Sequence, residues 1–188
     1  MQDSLYNKWR QQVLSECSAV LEAVDPAVVD EYIRLIKSAR KVFLIGVGRV
    51  LLSLQAIAKR YNHLGIPCVV VGEITEPAIT RDDVLIVGSG SGGSIFPKAI
   101  AEKAKGMGVT IIHIGSIPQN PLSGVADMFV RLPAKSKQEL PGEVASSQPM
   151  TSLFEQSLLL FGDITAGMMI EQDGIELHSL WQYHANLE

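Results

Sequence analysis

A doubly wound α/β fold around a five-stranded parallel sheet is what this sequence predicts, and three observations predict it. Short, almost unbroken apolar runs recur at residues 42–45, 68–71, 84–87, 109–112 and 128–130. Segments of helical character separate most of them, and glycine-bearing turns close the first three. Strands that alternate with helices pair in parallel, and a strand covered on both faces loses the in–out alternation of a half-exposed one.

The flanking elements follow in chain order. Residues 4–40 form two helices broken at Asp25-Pro26, an N-cap followed by a proline suited to the first helical turn. Helices fit between the apolar runs at 51–64, 94–106 and 122–126. Residues 133–149 are polar, carry Pro141 and Gly142, and form a loop. Residues 151–171 make a long helical pattern in which Leu153, Phe154, Leu158, Leu160, Phe161, Ile164 and Met169 cover more than one face. Core packing alone accounts for such a helix, and a subunit interface is the further option. A short helix then leads into the tail 183–188.

Composition narrows the class. A chain of 188 residues, 47% hydrophobic and 19% charged, suits one domain over 1–188 with its own core, made of the helical segment 4–40, the sheet, and the helix and tail 150–188. The net charge of −4 offers no long-range attraction to nucleic acid or to anionic lipid, so neither is an expected partner. A small anionic substrate must be caught by local donors. Cys17 and Cys68 lie outside any CxxC spacing and suit reduced packing thiols. Asp3, Lys8, Arg10 and Glu16 interrupt any leader-like apolar run, and no stretch is expected to supply the ~20 apolar residues that span a bilayer. The expected location is the cytoplasm.

The most informative segment is Gly88-Ser89-Gly90-Ser91-Gly92-Gly93-Ser94, which follows a buried run and opens a helix. In open α/β sheets ligands bind at that carboxyl edge. Glycines let the backbone approach an anion, and free amides with the helix dipole stabilise its charge. Ser89, Ser91 and Ser94 add three hydroxyls, completing a cradle for one phosphate; a merely flexible turn is the weaker explanation in this context. The spacing Gly88-x-Gly90-x-x-Gly93 also satisfies the dinucleotide fingerprint. However, it follows the third strand rather than the first, and His113 closes the next strand where a ribose-binding acid belongs. No Lys-Ser or Lys-Thr pair closes a Walker loop. Gly46-Val47-Gly48-Arg49 forms a second turn on the same edge, with Arg49 placed for a phosphate, a sugar hydroxyl or solvent alone. Glu73 and Thr75 stand in a third such turn, at the pocket or on the surface.

Together these pieces resemble the sugar isomerase (SIS) domain family and, within it, the 6-phospho-3-hexuloisomerases. The resemblance runs through Gly46-x-Gly48-Arg49, Arg60-x-x-His63-Leu64-Gly65, Val71-Gly72-Glu73 with Pro77, and Ser89-Gly90-Ser91-Gly92. It continues through Lys135-Ser136-Lys137, Gln148-Pro149-Met150, Leu153-Phe154-Glu155 and the ending His184-Ala185-Asn186-Leu187-Glu188. It implies a flavodoxin-like fold, interconversion of D-arabino-3-hexulose 6-phosphate and fructose 6-phosphate, no redox cofactor, and a homotetramer. By the same resemblance Ser89, Ser91 and Ser94, with Gly90 and Gly92, bind phosphate; Gly48 and Arg49 meet the substrate; Glu155 is the base; and His184 reaches a neighbouring site. Two positions depart from the family pattern: Val50 stands where a sugar-touching serine is usual, and Gly93-Ser94 replace a charged residue and a threonine.

Moving a carbonyl between adjacent carbons needs a base that takes a proton from one and returns it to the other, and a single buried carboxylate suffices. By position alone Glu155 is an ordinary first-turn glutamate; the resemblance gives it the catalytic role. His184 suits proton movement between oxygens or ring opening. His63 and His113 are expected to be structural, and His178 carries no signal. The four histidines show no metal-ligand spacing, so no catalytic metal is expected. Lys135 and Lys137 belong over the anion or in solvent. An isomerase of a different phosphorylated sugar is one alternative, and a non-catalytic sugar-phosphate sensor is the alternative from another class. It would need neither Glu155 nor His184, and a DNA-binding version would carry more Lys and Arg near the N-terminus. A dinucleotide-dependent oxidoreductase is a third reading, open to a direct test of NAD or NADP binding.

Overall fold

The computed structural model describes residues 4–187, and its first two helices start where their caps predict. In α1 (Leu5–Glu22) the Ser4 side chain accepts from the Asn7 amide. In α2 (Pro26–Ser38) Asp25 accepts from the Ala27 amide, with the proline in the first turn. The chain continues as β1 (Val42–Ile45), α3 (Gly48–His63), β2 (Cys68–Val70), β3 (Val84–Gly88), α4 (Ile95–Gly106), β4 (Thr110–Gly115), β5 (Met128–Arg131) and α5 (Ser152–Gln172). A 3₁₀ segment, Leu177–Tyr183, precedes the tail.

All pairings are parallel and the strand order is β2-β1-β3-β4-β5, the flavodoxin-like arrangement. The order reverses between β1 and β3, so the turns after these two strands open a crevice at the carboxyl edge. Successive strand residues face opposite cores. Val42, Leu44, Val84, Ile86, Ile112 and Ile114 join the larger cluster, against α2, α3 and α5. Phe43, Ile45, Leu85, Val87 and Ile111 face Ala101 and Ala104 of α4. Both faces are covered, which is why the runs read as continuously apolar.

Two expectations need correction. Residues 122–126 are not a helix: Asn120 accepts from the Leu122 amide, Leu122 accepts from Val125 and Ala126, and the segment is a turn. Pro121 and Gly124 leave too short a run for a helical nucleus. Second, α5 does reach membrane-spanning length and apolarity, with 21 residues and an 18-residue stretch of mean hydropathy 1.3. Leu153, Phe154, Leu158, Phe161 and Met169 turn into the core, and Leu160 and Ile164 stay exposed. More apolar surface lies on α1, at Leu5, Tyr6, Trp9 and Leu14.

The seam between α3 and α5 fixes the site's two facing helices. Ser53 donates to the Glu155 carbonyl at 2.8 Å. A Cβ on Gly162 would come within 2.3 Å of Ile57, so only glycine permits this approach. Thr165 donates to backbone carbonyls of its own helix, Tyr61 donates to Thr165 at 2.6 Å, and Tyr32 donates to Tyr61 at 3.1 Å. Burial pushes the Tyr61 hydroxyl up to about 12, keeping this buried chain neutral. Cys17 is buried and Cys68 half-buried, and burial raises both thiols, Cys68 to about 12.

Candidate active site

A cleft of about 470 Å³ opens where the strand order reverses. Val47, Gly48, Arg49 and Val50 line it from the start of α3, and Gly88, Ser89, Gly90, Ser91 and Ser94 from the β3–α4 turn. Ser116 and Ile117 follow β4; Lys135, Ser136, Lys137 and Gln138 form a rim; Thr151, Phe154 and Glu155 begin α5. Three helices therefore aim their N-termini at one space. None of the three has a side-chain cap, whereas α1 and α2, which point elsewhere, both do. Backbone amides left unpaired at converging helix starts make a site for negative charge.

The serine turn is held rigidly from behind. The Ser89 amide donates to the Ile114 carbonyl, and the Ser116 and Ile117 amides both donate to the Gly90 carbonyl. His113 Nε2 meets the Ser89 carbonyl at 2.8 Å. Because a carbonyl only accepts, Nε2 carries the hydrogen, and burial lowers the imidazole's pKa against the opposing effect of that bond. His113 lies inside β4 rather than at its end, 1% exposed, and serves structure as expected. Gly92 adopts φ +65° and passes so close to Asn120 that a Cβ would lie 2.2 Å from its Oδ1. The result is a turn with Ser89 and Ser94 hydroxyls 3.1 Å apart and the Ser91 hydroxyl accepting from the Gly93 amide.

Glu155 faces this turn from the first turn of α5 and is 7% exposed. One carboxylate oxygen accepts from the Thr151 hydroxyl at 2.7 Å, and the other is ion-paired with Arg49. The Arg49 side chain remains 64% exposed, so its guanidinium closes over a carboxylate that water barely reaches.

The SIS domain model of protein families matches residues 35–161 of this sequence. The chain belongs to the SIS domain family. It is 37% identical over 176 residues to the 3-hexulose-6-phosphate isomerase of Mycobacterium gastri, covering 94% of this chain and 88% of that one. It is 32% identical over 177 residues to the Bacillus subtilis protein of the same name, covering 94% and 96%. A Methanococcus jannaschii crystal structure, described as inferring a 3-hexulose-6-phosphate isomerase function, superposes with a TM-score of 0.83 at 29% identity, covering 96% and 99%.

Within this SIS chain the cleft brings together Gly48, Arg49, Ser89, Gly90, Ser91, Ser94 and Glu155. Gly92 is buried behind the turn. Glu73 and Thr75 stand exposed in the β2 turn, outside the cleft. His184 also lies outside its own chain's cleft: its ring stacks on His63 at 5.3 Å and tilts against Trp181 at 5.0 Å. Thr151 and Ser116 escaped the sequence reading, and Phe154 was read as a helix residue beside Glu155 rather than as part of the cleft's lining. Thr151 precedes Glu155 by one helical turn, a spacing that offered a signal; Ser116 offered none.

The 133–149 loop carries the rim lysines. Its return limb is fastened to α1 by Glu16, a 4% exposed carboxylate that accepts from the Ser146 hydroxyl at 2.6 Å and the Ser147 amide at 2.9 Å. Gln148 and Gln12 side chains donate to the same carboxylate at 2.9 and 2.6 Å. Burial by itself would raise this carboxyl, but the four bonds outweigh it and hold it at about 2.

Proposed function

We propose that this chain is a 6-phospho-3-hexuloisomerase, a single SIS domain that interconverts D-arabino-3-hexulose 6-phosphate and fructose 6-phosphate through an enediol. The observation that carries the reading is Glu155, a nearly dry carboxylate held through both oxygens, lining the same cleft as a three-serine anion cradle. Relatives named for this activity, aligned over almost the whole chain, support the choice of substrate.

The phosphate sits at Ser89, Ser91 and Ser94, against the backbone at Gly90, with Gly48 and Arg49 lining the same cleft; Gly92, behind the turn, shapes the cradle through its φ of +65°. Glu155 takes the proton from carbon 2 of the 3-ketose. The freed electron pair makes the 2,3-enediol as the carbonyl oxygen at carbon 3 gains a proton. The Glu155 proton then returns to carbon 3, the hydroxyl at carbon 2 gives up its own, and the carbonyl stands at carbon 2. No electrons leave the sugar, so no redox cofactor is required. Arg49, paired with the Glu155 carboxylate and exposed to the cleft, stabilises the oxygens that carry charge in the enediol.

His184 serves the cleft of a neighbouring subunit in a cytoplasmic homotetramer; its position outside its own cleft supports that reading, as do the exposed apolar residues of α1 and α5. A sugar-phosphate sensor needs the cradle but gives no reason for a buried carboxylate beside it. The test is incubation with D-arabino-3-hexulose 6-phosphate in deuterated water. Fructose 6-phosphate carrying deuterium at carbon 3 is expected. Tight binding of phosphosugars with no turnover of any would replace the isomerase by the sensor.

A further inference from the structure

We propose that Glu16, far from the chemistry in sequence and outside the cleft, is a positioning residue that holds the lysine-bearing rim over the substrate. This rests on the phosphosugar reading of the cleft. The 133–149 loop leaves β5 through buried Leu132 and Ala134 and folds back on itself. Ala134 bridges Val144, and the Val144 amide donates to the Pro133 carbonyl at 2.6 Å. Glu143 accepts from the Ser136 and Leu140 amides at 2.8 and 3.2 Å, which ties the rim to the return limb. Nothing in these contacts fixes the folded-back loop to the body of the protein beyond residue 144.

Glu16 supplies that attachment. Three consecutive residues, Ser146, Ser147 and Gln148, all donate to it. Every partner is a donor, so the position calls for an acceptor on both oxygens, which only a carboxylate provides. The attachment closes the return limb of the loop, so one carboxylate sets the rim that carries Lys135 and Lys137. Lys135 lines the active cleft on one side and the α1-facing hollow containing Glu16 on the other.

Full-length Glu16→Gln presents an amide NH₂ to donors and loosens the rim without deleting a side chain. Loss of two lysine contacts to a phosphosugar at a half-exposed rim is expected to raise KM about tenfold with kcat within about twofold. Amide exchange across residues 135–148 should quicken together with it. Ser146→Ala removes one of the bonds to Glu16, together with the one its hydroxyl accepts from the Gln148 amide, and should move KM the same way by about threefold, which keeps the test available if Glu16→Gln does not fold. A structural role alone would lower the active fraction, hence apparent kcat, at unchanged KM; that result overturns the proposal, as does faster exchange with unaltered KM. If wild-type protein binds phosphosugars without turning them over, the isomerase reading fails while the same ratio is read as Kd for fructose 6-phosphate. Wild-type protein that does not bind fructose 6-phosphate overturns both.

Discussion

Two walls line the cleft, and they are fastened by opposite means. The serine turn is fixed by its immediate strand neighbours: Ile114, Ser116 and Ile117 bond its backbone, and His113 reaches one carbonyl from inside the sheet. The lysine loop is fixed by a helix at the far end of the chain, through Glu16. The first wall takes its shape from a strand–turn–helix that any short window of sequence contains. The second depends on an acceptor more than a hundred positions away, and it carries the more exposed charges. A preorganised wall is suited to gripping the invariant phosphate, and a strapped wall to covering the variable sugar.

The largest effect should come from the carboxylate that stands between the walls. Glu155→Gln is expected to lower kcat by ~10²–10⁴-fold while phosphosugar affinity changes little, because an amide cannot take the proton. Steady-state kinetics beside calorimetry would check this, and near-wild-type turnover would remove Glu155 as the base.

Next comes the preorganised wall. Ser89→Ala with Ser91→Ala should weaken phosphosugar binding by at least about a hundredfold, since each bond to a charged group contributes ~1.5–3 kcal/mol. Equal affinity in the double variant would show that the backbone amides alone hold the anion.

The strapped wall should be distinguished by acid. The Glu16 carboxyl stands at about 2 in the folded chain against an ordinary 4.5. A depressed carboxyl contributes stability above its unfolded value and loses it as pH falls toward the folded one. Between pH ~4.5 and ~2 the chain should lose on the order of 2–3 kcal/mol from this group. Denaturant titrations across that range should show the loss in wild type and not in Glu16→Gln. Equal slopes in the two proteins would mean that Asp83, also lowered against burial by Arg40 and Thr80, governs acid sensitivity instead.

The smallest effect belongs to the rim itself. Lys137→Ala should raise KM about threefold, with the difference vanishing in high salt, as expected of an exposed charge. A change in kcat instead would place Lys137 at the reacting carbons.

The contrast between the walls also explains what the sequence made legible. The parallel sheet was visible because its three inner strands, β1, β3 and β4, are buried on both faces, and the cradle because glycine and serine cluster between an apolar run and a helix. Helix starts moved by a few residues, as with α3, which begins at Gly48 through a glycine at φ +59°. The 122–126 segment misled because three apolar residues there pack like a helix face while Asn120 and Pro121 impose a turn. Glu16 looked like an ordinary polar residue interrupting an apolar run; its burial depends on donors from residues 146–148 that no local pattern links to it. His184 shows the same limit, since its ring stacks on His63, more than a hundred positions away, and no local pattern links the two.

The seam between α3 and α5 works as a gauge. Arg49, Ser53, Ile57 and Tyr61 stand in a row along one side of α3 and meet Glu155, Gly162 and Thr165 in turn. Arg49 and Glu155 are the wet end of that row; Tyr61 and Thr165, about 18 Å along the helix, are the dry end. Both helices are zeroed where no solvent reaches, and the Arg49–Glu155 pair inherits its spacing from there. A methyl group added at Gly162 would shift that zero, and the error would be read at the substrate.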